Sequence, residues 1–329
     1  MRRTVPIMLL ATLIALATPA LATPALAAAR RADAIPTWSQ PFPMHRPSVR
    51  GGSGMAYDPS RHELVLFGGS NGVSAFGDTW LWNGTDWKQA NPPASPPARW
   101  DAGMAYDSTH HRIVLFGGWN FFSPPFNDTW TWDGTTWTEQ HPTTSPPGRL
   151  VHALSDDPAG GGLVLFGGTD ITETSVLGDT WRWDGTNWAQ LTPPSSPSPR
   201  FATSVYSPAL GAVFLFGGFD GTSYLNDSWT FDGSTWTKLS PGTVPRGRSD
   251  NGIATLAGSI VIALGYGGSG HILDDTWFYR RGTWMRLTSP GPSSRNIPVM
   301  ASDPGGQNVL LFGGASGIGG FTSTTWLLQ

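Results

Sequence analysis

Residues 99–147 read RWDAGMAYDSTHHRIVLFGGWNFFSPPFNDTWTWDGTTWTEQHPTTSPP, and nearly every other segment of the chain is a variant of this stretch. Repetition at about 50 residues is the signature of a propeller or a solenoid, in which each unit is one small sheet that cannot bury its faces alone. The first complete unit begins at Arg50 and shows the parts plainly. Gly54 to Asp58 reads as a first strand, Leu64 to Gly69 as a second, Asp78 to Trp82 as a third and Trp87 to Ala90 as a fourth. Asn83-Gly84 supplies the turn before the fourth strand, because glycine accepts the positive φ of a tight hairpin. Asp133-Gly134, Asp184-Gly185, Asp232-Gly233 and Arg281-Gly282 repeat it.

A Phe-Gly-Gly step recurs at Phe67, Phe116, Phe166, Phe216 and Phe312, with a degraded copy expected at Tyr266-Gly267-Gly268. The tryptophan opening the third strand recurs at Trp80, Trp130, Trp181, Trp229, Trp277 and Trp326, at intervals of 50, 51, 48, 48 and 49 residues. The sixth copy has no fourth strand of its own. Ile35 to Gln40, carrying Trp38, has the character of a fourth strand without a unit. Pairing the two would close a ring and hide two sheet edges that would otherwise recruit other chains. The expectation is an all-β, six-bladed β-propeller over residues 35–329, each blade a four-stranded antiparallel sheet, the last closed by the N-terminal strand.

A second strand ending in Gly-Gly, an aromatic in the third strand and a Trp in the fourth resemble the kelch repeat. The resemblance extends from about Ile35 to Gln329 and implies a kelch-type propeller, similar to those of secreted proteins such as the central domain of galactose oxidase. It does not imply that enzyme's chemistry, which needs a Tyr-Cys cross-link and copper ligands, since the chain has no cysteine. The iron-binding motif of plant nitrile-specifier kelch proteins has no match, and no cofactor or metal is expected. The repeated tryptophans read as filling between blades rather than as sugar platforms. Trp132 to Trp137 is similar to a sialidase Asp-box, but Asp133 and Gly134 are adjacent, which makes it a hairpin.

Composition narrows the function. The chain holds 42 Gly, 29 Pro and 17 Trp, only 13% charged residues and a net charge of −3, which tells against a nucleic-acid partner. Without cysteine, disulfides and thiolate chemistry are excluded. Arg2 and Arg3, the apolar run from Val5 to Ala17, and Ala-Leu-Ala at 20–22 and 25–27 read as a signal peptide over residues 1–27, followed by a short leader at 28–34. The apolar run is shorter than the ~20 residues of a membrane span. A secreted, periplasmic or extracellular protein with no transmembrane segment is expected.

Six arginines open the first strands: Arg50, Arg99, Arg149, Arg200, Arg248 and Arg295. Asp78, Asp128, Asp179, Asp227 and Asp275 open the third strands, with Thr324 in the sixth place. Such arginines either ring the channel mouth for an anionic ligand or pair with the aspartates and tie neighbouring blades. In some kelch propellers the matching arginine contacts acidic partner segments. Residues that differ between copies are better candidates, because the scaffold does not demand them. On the same face lie Trp119, Phe121 and Phe122 in one loop, Phe219 and Tyr224 in another, and Trp100 and Phe201 beside the arginines. With Arg149 and Arg200 these form the expected ligand site, for a protein or a glycan. A rival reading is a carbohydrate-active enzyme, an epimerase or hydrolase acting on an acidic sugar at the channel mouth, using the arginines, His152 and Asp101. His152 and His271 with Asp274 are conceivable as a His-His-carboxylate site, and Asp101 and Asp250 as a carboxylate pair across the channel. Nothing in their spacing fixes either, and isolated histidines are more often solvated or hydrogen-bonded.

Overall fold

The computed structural model describes residues 35–170, 175–303, 307–317 and 320–329. The signal peptide expected over residues 1–27 and the leader expected over 28–34 lie outside these residues. The described chain forms six four-stranded antiparallel sheets plus a small hairpin, Ala315–Ser316 with Gly320–Phe321. Each blade runs in order from the centre outward. In blade 1 Gly54–Asp58, Glu63–Phe67, Thr79–Trp82 and Trp87–Ala90 pair consecutively, with Tyr57 opposite Leu64 and Trp82 opposite both Leu64 and Trp87. The first strands of neighbouring blades touch all the way round, from blade 1 to blade 6 and back to blade 1. They enclose a central cavity of about 700 Å³. Among the described residues no helix is long and apolar enough to cross a membrane.

The packing explains the sequence pattern. In the run Leu64-Val65-Leu66-Phe67, Leu64 and Leu66 pack toward blade 6 while Val65 and Phe67 pack toward blade 2. Both sheet faces are covered, so the second strands read as continuous apolar runs rather than alternating ones. Six buried clusters result, one at each joint between blades.

Each fourth-strand tryptophan ties its blade to the one before. Trp87, Trp137, Trp188 and Trp236 donate their indole N–H to Thr325, Thr79, Thr129 and Thr180, and Trp284 donates to Ser228. Trp38 completes the set by donating to Thr276 at 3.0 Å. Its strand, Trp38–Ser39, pairs with Leu328 and Leu327 at the edge of the sixth sheet. Thr37 and Gln329 exchange two further backbone hydrogen bonds. The chain therefore closes as the repeat count predicts, with blade 6 assembled from both ends.

Blade 5 departs from the expected alignment. Leu264 N–H donates to Asp275 C=O and Gly265 N–H to Arg295 C=O, as Gly68 does to Asp78 and Gly69 to Arg99. The Gly-Gly step of this blade is therefore Leu264-Gly265, not Gly267-Gly268. Leu264 adopts φ +64°, the left-handed region that glycine occupies elsewhere. Burial compensates. The Phe of the other second strands is Ala263 here, and the fully buried Leu264 packs with Leu287 and Trp38 in the joint to blade 6.

Candidate functional site

The arginines come first because they frame the face. Each lies just before a first strand, and in blades 1 to 5 it sends its guanidinium to the aspartate near the start of the third strand of the same blade. Arg149 is fully buried; its Nη1 reaches Asp179 Oδ1 at 2.7 Å and its Nη2 reaches Oδ2 at 2.9 Å. Its Nε donates to Pro147 C=O and Nη1 also to Gly167 C=O. Arg200, 2% exposed, donates from Nη1 to Asp227 Oδ1 and Gly217 C=O and from Nε to Ser198 C=O, while its Nη2 donates to Ser198 Oγ. Arg50, Arg99 and Arg248 repeat the fork with Asp78, Asp128 and Asp275. The aspartates are further held by the N–H of Trp80, Trp130, Trp181, Trp229 and Trp277. These bonds draw Asp78, Asp179, Asp227 and Asp275 below the usual carboxylate range against the opposing effect of burial.

Two expectations are corrected here. Arg149 and Arg200 do not offer their charge to a ligand, because burial and intrachain bonds consume it. The side-chain pairs also do not tie neighbouring blades, since both partners belong to one blade. The tie is the arginine backbone. Arg99 N–H donates to Phe76 C=O of blade 1 and Arg99 C=O accepts from Gly69, and the same pair of bonds recurs at every joint. Phe76 and Phe126 lie against the guanidinium groups of Arg50 and Arg99, 4.1 and 4.0 Å from ring centre to carbon. Phe126 is thus a cover for an ion pair.

Above the arginines, the residue after each Arg bridges to the residue after each Gly-Gly step. The pairs are Gly51–Ser70, Trp100–Trp119, Leu150–Thr169, Phe201–Phe219, Ser249–Tyr266 and Asn296–Ala315. The backbone is common to all six, so the side chains are free to differ. Both members are small or polar in blades 6 and 1, whereas each pair in blades 2 to 5 carries at least one large apolar or aromatic side chain. In blade 2 Trp100 stacks on Phe121 at 5.3 Å and 20°, while Trp119 lies 5.1 Å from Phe121 and 6.2 Å from Trp100. Asn120 accepts from the backbone N–H of Phe122 and Ser123 and pins the loop tip. Phe122 there is 89% exposed. In blade 4 Phe201, Phe219 and Tyr224 form a second stack, and Tyr224 reaches Tyr266 of blade 5 at 5.3 Å. Phe201 itself is buried beneath its partners.

The expected aromatics therefore form two groups on one face, with Leu150 and Thr169 of blade 3 between them. Tyr266 is hidden in the sequence, because Leu264 stands in the first glycine position of blade 5 and the visible Gly-Gly pair lies three residues further on. A signal was present. The second glycine stands 9 to 11 residues before the Asp or Thr in every copy when Gly265 is taken, but only 7 when Gly268 is taken.

The cavity offers different chemistry. His152 is buried between blades 2 and 3, edge-on to Phe116 at 5.5 Å, and a Cβ on Gly103 would come within 2.4 Å of its Nε2. Neither ring nitrogen has a hydrogen-bond partner. Burial and the nearby Arg149 hold its pKa down to about 3, so the ring is neutral. Asp156, on the first strand of blade 3, is pushed up to about 6 by burial. Asp101 and Asp250 do occupy matching places, both at φ +54° beside the cavity. His271 is exposed in a blade 5 loop, where its Nδ1 lies 3.2 Å from Gly268 C=O. Among the described residues no three His, Asp or Glu side chains gather as a metal site.

A family model for the KLHDC2/KLHL20/DRC7 Kelch-repeats domain matches residues 134–314, more than half of the chain. The chain belongs to the kelch-repeat family. No curated protein matches it.

Proposed function

We propose that this kelch propeller is an exported binding module that takes a protein ligand on the aromatic arc of blades 2 to 5. Kelch propellers commonly act in protein interaction, which favours a protein over a glycan. The observation that supports the arc is Phe122, a large apolar side chain almost wholly in solvent on a loop tip held by Asn120. Exposed aromatics grouped on a rigid frame mark interaction surfaces. Trp119, Phe121 and Trp100 supply the flat apolar ground beside it, and Phe219, Tyr224 and Tyr266 extend it. The reading of an enzyme acting on an acidic sugar loses its main support, because five of the six arginines that would hold the acid, Arg149 and Arg200 among them, are buried against aspartates of their own blades.

The test is capture from the conditioned medium of the native source, with a glycan array beside it. Phe122→Asp should lose the captured protein while melting like the wild type; capture by the variant equal to the wild type would refute the arc. Binding on the glycan array with no captured protein would refute the choice of a protein ligand. Export rests on the leader, and N-terminal sequencing of the mature protein should begin at Thr23 or Ala28. An intact Met1 on protein recovered from the native source would refute it.

A further inference from the structure

Blade 6 repeats the arginine fork without its carboxylate. Arg295 is 4% exposed, with Nε on Ser293 C=O, Nη1 on Gly313 C=O and one N–H of Nη2 on Ser293 Oγ at 3.0 Å. Arg50 makes the same bonds to Ser48 and Gly68, and the second N–H of its Nη2 goes to Asp78 Oδ2. The backbone around it is also that of the other blades. Gly313 N–H donates to Thr324 C=O as Gly68 does to Asp78, and Phe312 faces Thr325 as Phe67 faces Thr79. Where Asp78 would stand, Thr324 presents only a hydroxyl, 2.8 Å from Nη1. Among the described residues no carboxylate pairs with Arg295.

A second donor is left over at the same place. In the other five blades the tryptophan two residues beyond the aspartate donates its N–H to the outer carboxylate oxygen. Trp326 holds that position in blade 6, and its buried Nε1 has no partner. The replacement of one Asp by Thr thus leaves a buried cation and a buried N–H, both directed at the position of one missing oxygen. A buried charge without a counter-ion is costly, and a bound anion removes that cost.

We propose that blade 6 holds a small monovalent anion, a halide or a carboxylate the size of formate, between Arg295 Nη2 and Trp326 Nε1. It stands in for the aspartate oxygen of the other blades. The five matching aspartate side chains that mark this position are 14 to 22% exposed, so an anion can enter from solvent. Burial draws Arg295 down to about 10, the mark of a guanidinium without its counter-ion.

The experiment compares melting in sodium chloride, sodium formate and the bulky sodium methanesulfonate at equal ionic strength. A ligand that binds only the folded state raises Tm with its concentration. The wild type should gain about 2–4 °C in the small anion that binds, a shift of the size expected for a domain of this class. Thr324→Asp, which supplies the carboxylate from the chain, should melt higher than wild type in methanesulfonate and lose the response. Trp326→Phe should keep part of it. Equal wild-type melting in all three salts, or an undiminished response in Thr324→Asp, would overturn the site. Crystals of the wild type soaked separately in bromide and in formate decide the matter independently of any variant: a bromide anomalous peak or formate difference density beside Arg295 and Trp326 supports the site, and the absence of both refutes it.

Discussion

Trp38 is the residue on which ring closure can be tested. Its side chain is 8% exposed, packs with Leu264, Leu287, Val309 and Leu328, and donates to Thr276 of blade 5. Trp38→Ala removes a buried indole, for which about 3–5 kcal/mol is typical. It also strips the buried Thr276 hydroxyl of a donor, adding about 1 kcal/mol. At roughly 2 °C per kcal/mol for a chain of this size, Tm should fall on the order of 10 °C. Scanning calorimetry measures that fall. Trp137→Ala in blade 2 provides the control, since it loses an equivalent joint, to Phe67 and Thr79, inside an uninterrupted blade. Hydrogen exchange separates the two. Gln329 N–H, bonded to Thr37 C=O, should lose protection in Trp38→Ala and keep it in Trp137→Ala. A Trp38→Ala protein melting within about 2 °C of wild type, with Gln329 still protected, would refute closure through this strand.

Four further outcomes follow from the same geometry. Asp179→Asn leaves Arg149 charged and buried, and urea unfolding should report a loss of about 3–5 kcal/mol. Asp78, Asp179, Asp227 and Asp275 have folded pKa values below their unfolded ones, so their stabilisation is complete above the unfolded pKa of about 4 and is lost as pH falls through the lower folded values; acid titration by circular dichroism should place unfolding below that pH. His152 and Asp156 act oppositely between about pH 4 and 6: the histidine is depressed to about 3 and withdraws stability as pH falls, whereas the aspartate is raised to about 6 and adds it. Asp156→Asn should therefore expose a slope approaching 1.4 kcal/mol per pH unit in that window, read from urea midpoints, and an unchanged slope would refute the pairing. Leu264→Gly relieves a left-handed backbone worth about 1 kcal/mol but opens a hole worth about 2–5 kcal/mol, so calorimetry should show a net loss of stability.

The arrangement of arginines shows how a repeat hides its meaning from a linear reading. Their count and spacing are visible as residues, and so is the match to five aspartates and one threonine. Whether a guanidinium points outward or into its own blade depends on the path of the chain between the two, which the spacing does not express. The aromatics behave differently. Trp119, Phe121, Phe219 and Tyr224 stand out because they vary where the repeat is otherwise constant, and the face they share follows from strand order alone. Tyr266 did not stand out, because a leucine occupies the glycine position of blade 5 and moves the apparent motif.

Blade number, strand order and closure were determined by the sequence, because each blade must bury both faces and leaves its apolar run, turn glycine and tryptophans at a fixed period. Tertiary structure alone decided which charges are spent and which remain. Ion pairing depends on distances of a few ångströms between segments about 30 residues apart, and only folding brings Arg149 onto Asp179 while leaving Arg295 and Trp326 without the oxygen that their counterparts share.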